Sequence, residues 1–242
     1  MTINQSEIKV GNITAILIRK KIKNLHLSVL PPDGRVRVSA PLSMNDDAIK
    51  MLIATRLSWI HKQQSKFESQ ERQTYREYVS GESHYYLGKK YRLEVLYKDE
   101  RPKVILKGKT KIILSVRPGT DLTKRHKIMQ SWYRTELYKF VEAKLPYWEQ
   151  KIGIHVNELK IKRMKTRWGT CNSRASRIWL NLELAKKPPQ CIEYVLVHEM
   201  IHFLENKHND SFRKYMDRYY PNWKYIRDEL NKNPLAFEVW EF

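Results

Sequence analysis

Hydrophobic and polar residues alternate in several stretches of the first half of the chain. Segments 25–29 and 36–38 both show this pattern, and a Pro-Pro-Asp-Gly sequence at 31–34 separates them. Two alternating segments on either side of a turn sequence predict a β-hairpin, because successive side chains of a strand point to opposite faces. The same reasoning predicts a hairpin turn at 87–91 and a further pair of strands from 104 to 116.

Apolar residues recur at helical spacing in two longer segments. One predicted helix begins after Ser43 or Asn45, either of which can cap it, and extends to about residue 67. A second is predicted from 122 to about 152. Pro146 should kink or end that helix, because proline lacks the backbone N–H of a helical hydrogen bond.

The last third of the chain mixes the two patterns. Its predicted elements are a strand at 159–161, a turn at 167–173, a strand at 178–184, a helix at 188–202, and a helix that begins at Asn209 or Asp210 and ends before Pro221.

Pro118 and Gly119 separate a part rich in strands from a part rich in helices. We therefore predict an α+β fold with a β-rich N-terminal region containing one helix, residues 1–119, followed by a second domain, residues 120–242. No internal repeat is evident in the sequence.

The composition adds a strong positive charge to this picture. Lysine and arginine total 46 against 26 acidic residues, which gives a net charge of +20. Segment 160–177 has basic residues and no acidic one. Such a field attracts polyanions, so weak binding of nucleic acid or nucleotides is one expectation. A solvated basic surface without a ligand is the alternative.

Two absences bear on the expected location. No apolar stretch approaches the ~20 residues that a membrane span needs, and the first residues show no apolar signal core. Cys171 and Cys191 are the two cysteines, and neither belongs to a metal-spaced pair. We expect reduced thiols in a cytoplasmic protein with no membrane association.

The candidate chemistry lies in the helix predicted at 188–202. His198 and His202 are four residues apart with Glu199 between them, and His208 follows. On a helix, residues i and i+4 are neighbours on one face, so both imidazoles can reach one Zn²⁺. Glu199 lies about 100° around the helix from His198 and is expected to act as a general base instead of a ligand.

The distance from His198 to His208 equals that in the HExxHxxGxxH pattern of metzincins, but Glu205 replaces the glycine. Asn206 is the better candidate for the turn, because asparagine tolerates a positive φ. Met216 lies within a helical pattern and does not indicate a Met-turn. The sequence thus predicts a zincin-type site that differs from a metzincin.

Three segments together resemble a known family. They are Arg-Trp-Gly-Thr-Cys at 167–171, Ile-Trp-Leu-Asn at 178–181, and the helix at 188–202 with the later His208. Together they resemble the YgjP-like metallopeptidase domain, a relative of the WLM and SprT-like zinc peptidases, over nearly the whole chain.

This resemblance implies a zincin-like catalytic domain in which His198, His202 and His208 hold one Zn²⁺ and Glu199 is the catalytic base. Histidine sites also accept Ni²⁺ or another divalent metal. The expected activity is hydrolysis of a peptide or protein substrate by a metal-activated water. Arg163, Lys165 and Arg167 are candidates for binding an anionic group of the substrate near the metal.

Two alternatives keep the metal but change its use. The same water could attack a phosphoanhydride, with the basic segment 160–177 holding the phosphates of a nucleotide. Alternatively, the metal is structural in a nucleic-acid-binding module, with Glu205 or Asp210 as a fourth ligand.

Overall fold

A computed structural model describes residues 5–30, 34–68, 76–164 and 167–232. These residues form the α+β fold predicted from the sequence, with β-sheets in the N-terminal half and most helices later. Both cysteines are free thiols. None of the helices in the described ranges combines the length and the apolar character needed to cross a membrane.

Residues 5–68 belong to a first compact unit. Its elements are strands β1 (Gln5–Val10), β2 (Ile13–Lys20), β3 (His26–Leu30) and β4 (Arg35–Pro41), followed by helices α1 (Asp46–Thr55) and α2 (Leu57–Glu68). The sheet has the order β1-β2-β4-β3, with β2 and β4 parallel and the two outer pairs antiparallel. Leu17 and Val38 of the sheet form the core with Ile49, Ile53 and Ile60 of the helices.

Residues 76–232 belong to a second unit. It begins with strands β5 (Ser83–Tyr86), β6 (Lys89–Tyr97), β7 (Lys103–Lys107) and β8 (Lys111–Val116), followed by the long helix α3 (Leu122–Ile152). A second sheet contains β9 (Glu158–Lys162), β10 (Gly169–Asn172) and β11 (Arg177–Asn181) in the order β10-β11-β9. The unit ends with α4 (Pro189–Ile201), α5 (Asp210–Tyr219) and α6 (Trp223–Lys232).

The four-stranded sheets of the two units have the same topology. The second has the order β5-β6-β8-β7, again with a parallel central pair and antiparallel outer pairs. A helix capped by an Asx side chain follows each sheet, with Asn45 before α1 and Asp121 before α3. The structure therefore contains a ββββα repeat that the sequence analysis missed, because the two copies share topology and turn positions but little sequence.

The division between the units falls elsewhere than the predicted boundary at residues 119 and 120. The sheet β5–β8 forms one continuous core with α3 and α4, in which Leu93, Leu114, Met129, Leu137 and Leu196 are all buried. This sheet consequently groups with the helices that follow it, and the units separate after Thr74.

Three predicted elements differ from the structure. The helix predicted to extend to about residue 67 is divided at Arg56 into α1 and α2, so the first unit contains two helices where one was predicted. Helix α3 continues through Pro146 to Ile152, because the residues after the proline still bury Trp148 and Ile152 in the core. The strand predicted at 178–184 ends at Asn181, and a 3-10 helix follows. The Asn181 side chain accepts a hydrogen bond from the backbone N–H of Glu183 (3.2 Å), which starts that helix.

The Pro-Pro-Asp segment of the first predicted hairpin lies outside the described residues, but its two strands pair as predicted. Strands β1 and β2 and helix α6 were not predicted. The segment predicted as a turn at 167–173 instead contains strand β10.

Candidate metal centre

Helix α4 carries the candidate ligands through the core of the second unit. It starts at Pro189, where the missing N–H of proline costs no helical hydrogen bond, and His202 caps its C-terminus. Cys191, Ile192, Val197 and most other residues of the helix are buried. The helix is therefore apolar on nearly all sides, and the histidines and Glu199 lie at its C-terminal end.

The three histidines predicted as ligands converge on one point. A nitrogen atom of each of His198, His202 and His208 lies within 4.8 Å of the other two. The Nε2 atoms of His198 and His208 are 3.0 Å apart. Two nitrogens of a tetrahedral zinc site are about 3.3 Å apart when each bond is about 2.0–2.1 Å. The arrangement therefore fits a single Zn²⁺ or a similar divalent metal.

The environment of the imidazoles also suits metal binding. Nδ1 of His202 is 3.0 Å from the carbonyl oxygen of Glu205, so this nitrogen can donate and leave Nε2 for the metal. Nδ1 of His198 is buried and has no partner in the described part of the chain. Burial lowers the pKa of His198 to about 3, and the neighbouring histidines act in the same direction. The ring is thus neutral, which is the form that ligates a metal.

Phe212 supports all three rings from one side. Its ring centroid lies 5.0 Å from that of His198, 4.8 Å from His202 and 4.7 Å from His208. Phe212 is buried on α5, whose first turn is capped by Asn209. The helix after His208 therefore brings an aromatic platform to the histidines, a contact that periodicity alone did not reveal.

The turn between His202 and His208 is built differently from the prediction. We expected Asn206 to adopt a positive φ, but the described non-glycine residues with positive φ are Tyr78, Leu87 and Ser176. Instead, the Glu205 carboxylate accepts a hydrogen bond from the backbone N–H of Lys207 (3.1 Å). This side-chain bond stabilises the turn, so the site does not need the metzincin glycine.

The two carboxylates considered as a fourth ligand are engaged elsewhere. Glu205 bonds to Lys207, and Asp210 accepts a hydrogen bond from Arg213 (2.6 Å). Among the described residues, the potential metal ligands that cluster here are His198, His202 and His208. Three protein ligands leave one tetrahedral position open, which is typical of catalytic zinc sites.

Glu199 is buried beside the histidines, with 6% of its surface exposed. Burial raises the pKa of Glu199 to about 8, and the positive charge of Arg167 acts in the opposite direction. The backbone of Gly169 on β10 lies directly against its carboxyl group.

A cleft of about 600 Å³ opens over the histidines and Glu199. Arg167 to Cys171 form one wall, and Arg227, Leu230 and Asn231 of α6 contribute on another side. Of the three basic residues predicted to bind substrate, Arg167 lines this cleft. Arg163 is not part of its lining, and Lys165 lies outside the described residues.

Sequence reasoning missed the residues that support this wall. Asn181 is fully buried, and its amide donates to the carbonyl oxygens of Met164 (2.8 Å) and Arg167 (2.7 Å). The backbone N–H of Asn181 also bonds to the carbonyl of Trp168 (2.8 Å). The sequence carried one signal for Asn181: it is a polar residue at the end of a strand in which apolar residues alternate.

Comparisons with known proteins identify the family of the chain. The model of one family, described as "YgjP-like, metallopeptidase domain", matches residues 23–233. No protein among the curated ones matches the chain. A solved structure, the metallopeptidase zymogen abylysin of Pyrococcus abyssi, is similar at 21% identity with a TM-score of 0.35, over 39% of this chain and 99% of that one. The family match spans most of the sequence, and the chain belongs to the family of YgjP-like metallopeptidase domains.

Proposed function

We propose that the protein is a zinc-dependent peptidase in which His198, His202 and His208 hold the metal and Glu199 is the general base. The observation that carries the proposal is the convergence of three imidazole nitrogens beside one buried carboxyl group at the floor of an open cleft. Membership in a metallopeptidase family supports the same reaction class.

When bound, Zn²⁺ lowers the pKa of a water in its open position to about 7 and polarises a substrate carbonyl. Glu199 takes a proton from the attacking water and delivers it to the amine leaving group. Burial raises the affinity of the Glu199 carboxylate for a proton, which favours the first of these two transfers.

Strand β10 is the candidate site for the peptide backbone. It lies at the edge of its sheet and pairs only with β11 among the described strands. An extended peptide can add to such an edge through main-chain hydrogen bonds. Arg167, which precedes the strand and lines the cleft, is then available to an acidic group of the substrate.

Nucleotide phosphohydrolysis finds less support. Apart from Arg167, the described basic residues of segment 160–177 do not line the cleft. Lys160 and Arg177 both pair with Glu158, and Lys162 lies over the ring of Trp179 at 3.1 Å. Arg167 is the member of the predicted anion-binding set that lines the cleft. A structural metal is likewise less favoured, since Glu205 and Asp210 are bound elsewhere.

Metal content and turnover of point variants test the proposal. We expect one equivalent of zinc in the purified protein, lost in His202→Ala but kept in His155→Ala, which changes an exposed histidine paired with Glu149. Glu199→Gln should retain the metal and lose peptide hydrolysis by about 10³-fold, because it removes the base and not a ligand.

Inductively coupled plasma mass spectrometry and a panel of peptides, proteins and nucleotides provide the readouts. Stoichiometric zinc in a His198→Ala/His202→Ala variant would contradict the metal centre. Loss of zinc in Glu199→Gln would make Glu199 a ligand, and turnover of nucleotides alone would favour the phosphohydrolase.

A further inference from the structure

Gly169 is in direct contact with the carboxyl group of Glu199. A methyl group at position 169 would lie 2.6 Å from Oε1, 2.7 Å from Cγ and 2.9 Å from Cδ of Glu199. Apart from atoms of its own and the adjacent residues, a real Cβ atom essentially never has a heavy atom within 3.0 Å. Any residue larger than glycine therefore requires either the strand or the Glu199 side chain to move.

The backbone conformation does not explain this glycine. The chain has eight glycines. Seven of them adopt a positive φ, where a side chain causes strain, and Gly169 is the one that does not. It lies in a regular strand that any residue could occupy, so the closeness of Glu199 is the feature that requires glycine at this position.

The strand itself has little freedom to retreat. Gly169 pairs with Leu180 in the antiparallel ladder between β10 and β11, and Leu180 is fully buried. The carbonyl oxygen of Trp168 accepts a hydrogen bond from the backbone N–H of Asn181. The side-chain amide of Asn181 also donates to the carbonyl oxygen of Arg167. A larger side chain at position 169 would therefore displace Glu199 more easily than the strand.

We propose that Gly169 is a positioning residue for the catalytic base: its bare backbone forms the wall that holds the Glu199 carboxyl group beside the metal centre. This inference rests on the proposed function, in which Glu199 moves the proton. Glu199 is buried at one end of a cleft of about 600 Å³, and the wall at Gly169 prevents its carboxyl group from turning toward β10.

Kinetics of Gly169→Ala test the catalytic consequence. We expect kcat to fall at least tenfold with zinc content close to wild type, because the three histidines do not change and the position of the Glu199 carboxyl group does. KM should change less than kcat, because β10 keeps its main-chain pairing with β11. Gly108→Ala is the matched control: it places a methyl group at a glycine with φ +61 in the β7–β8 turn and nothing within 4 Å, so it causes strain outside the cleft. A rise in KM alone, or an equal loss of kcat in the control, would overturn the proposal.

The double variant Gly169→Ala/Glu199→Asp tests the contact itself. Shortening the side chain by one methylene removes the Cδ and Oε1 positions that the new methyl group would meet, while the carboxyl carbon of aspartate still occupies the Cγ position. We expect the alanine substitution to cost at least tenfold in kcat with glutamate at position 199 and a smaller factor with aspartate. Equal losses in both backgrounds would mean that the two residues act independently.

Thermal unfolding without metal separates this inference from the proposed function. Gly169→Ala should lower Tm in the wild-type background and leave it unchanged or raised in a Glu199→Ala background, where the colliding atoms are gone. An equal decrease in both backgrounds would show that the glycine serves the backbone and would overturn the inference. Because this cycle does not use turnover, it keeps its meaning even if the protein hydrolyses no peptide.

Discussion

The two four-stranded sheets have the same strand order, but the second is in contact with the segment that leads into α4. The difference begins at the first turn of each sheet. A methyl group at Gly11, between β1 and β2, would meet nothing within 4 Å. The corresponding Gly88, between β5 and β6, lies against Pro188, directly before α4, and a methyl group there would be 2.9 Å from Cγ of Pro188.

Backbone hydrogen bonds make this second turn a brace for α4. The N–H of Leu87 bonds to the carbonyl of Ala185 (2.9 Å), and the N–H of Gly88 bonds to the carbonyl of Lys186 (3.3 Å). The segment that leads into α4 is thus fixed by a hairpin turn. The described residues show no such contact at its counterpart in the first unit. Of the two sheets with this topology, the second therefore helps to position α4, because its first turn contacts the segment before that helix.

The corresponding strands also differ in what they bury. Val10 pairs with Ile13 at the end of the first hairpin, and Tyr86 pairs with Lys89 at the end of the second. Two residues earlier, the first sheet buries Ile8 and the second buries His84. Nε2 of His84 is 3.0 Å from a carboxylate oxygen of Glu82, so the second sheet carries a polar pair where the first is apolar.

The largest effect that separates the two sheets is expected from alanine at the turn glycines. Gly11→Ala should cost about 1–2 kcal/mol, the usual penalty of a left-handed residue with a side chain. Gly88→Ala adds a collision with Pro188 to the same strain, so we expect about 3 kcal/mol or more and a weaker affinity for zinc.

Urea denaturation and zinc titration of the two variants measure this difference. Equal losses of stability would show that the turn of β5 and β6 does not brace α4. An unchanged zinc affinity in Gly88→Ala would limit the brace to stability.

A smaller effect is expected from His84→Ile. This variant has in the second sheet the isoleucine that the first sheet has at the corresponding position, Ile8. Burial lowers the pKa of His84 to about 4, although the hydrogen bond with Glu82 opposes the shift. As the pH falls below the ordinary value of about 6.5, the unfolded chain takes up this proton first, so the folded state loses stability until about pH 4.

The isoleucine variant should therefore show a weaker decrease in stability than the wild type between pH 6.5 and 4. Both proteins carry the same metal-centre histidines, which cancel in the comparison. His26→Gln, at an exposed histidine of the first sheet, is the control and should keep the wild-type slope. Parallel pH profiles for His84→Ile and the wild type would contradict the role of His84.

Patterns of neighbouring residues were sufficient to predict the elements whose structure depends only on nearby residues. The bounds of α3, the start of α4 at its prolines and the closeness of His198 to His202 all follow from patterns within single helices. The repeat and the wall at Gly169 depend on pairing between distant strands, which no local pattern encodes. Gly169 in particular resembles a turn glycine in sequence, and only the position of Glu199 explains it.

The smallest difference between the two repeats concerns the caps of their helices. Asn45 accepts a hydrogen bond from the N–H of Ala48 (2.9 Å), and Asp121 accepts one from the N–H of Lys124 (2.7 Å). The geometry is the same, but the aspartate adds a negative charge at the positive end of the helix dipole. Asp121→Asn should thus lower Tm by about 1 °C at pH 7, and the reciprocal Asn45→Asp should raise it by a similar amount.

The hydrogen bond from the backbone of Lys124 holds the pKa of Asp121 below its usual range. The contribution of its charge is therefore complete above the ordinary pKa of an aspartate and disappears as the pH falls through the lower, folded value. Differential scanning calorimetry of the two cap variants at neutral and acidic pH should show both shifts at pH 7 and neither in acid. High salt should reduce them as well, because exposed charges are screened. Shifts that persist in acid would mean that the two caps differ in hydrogen-bond geometry and not in charge.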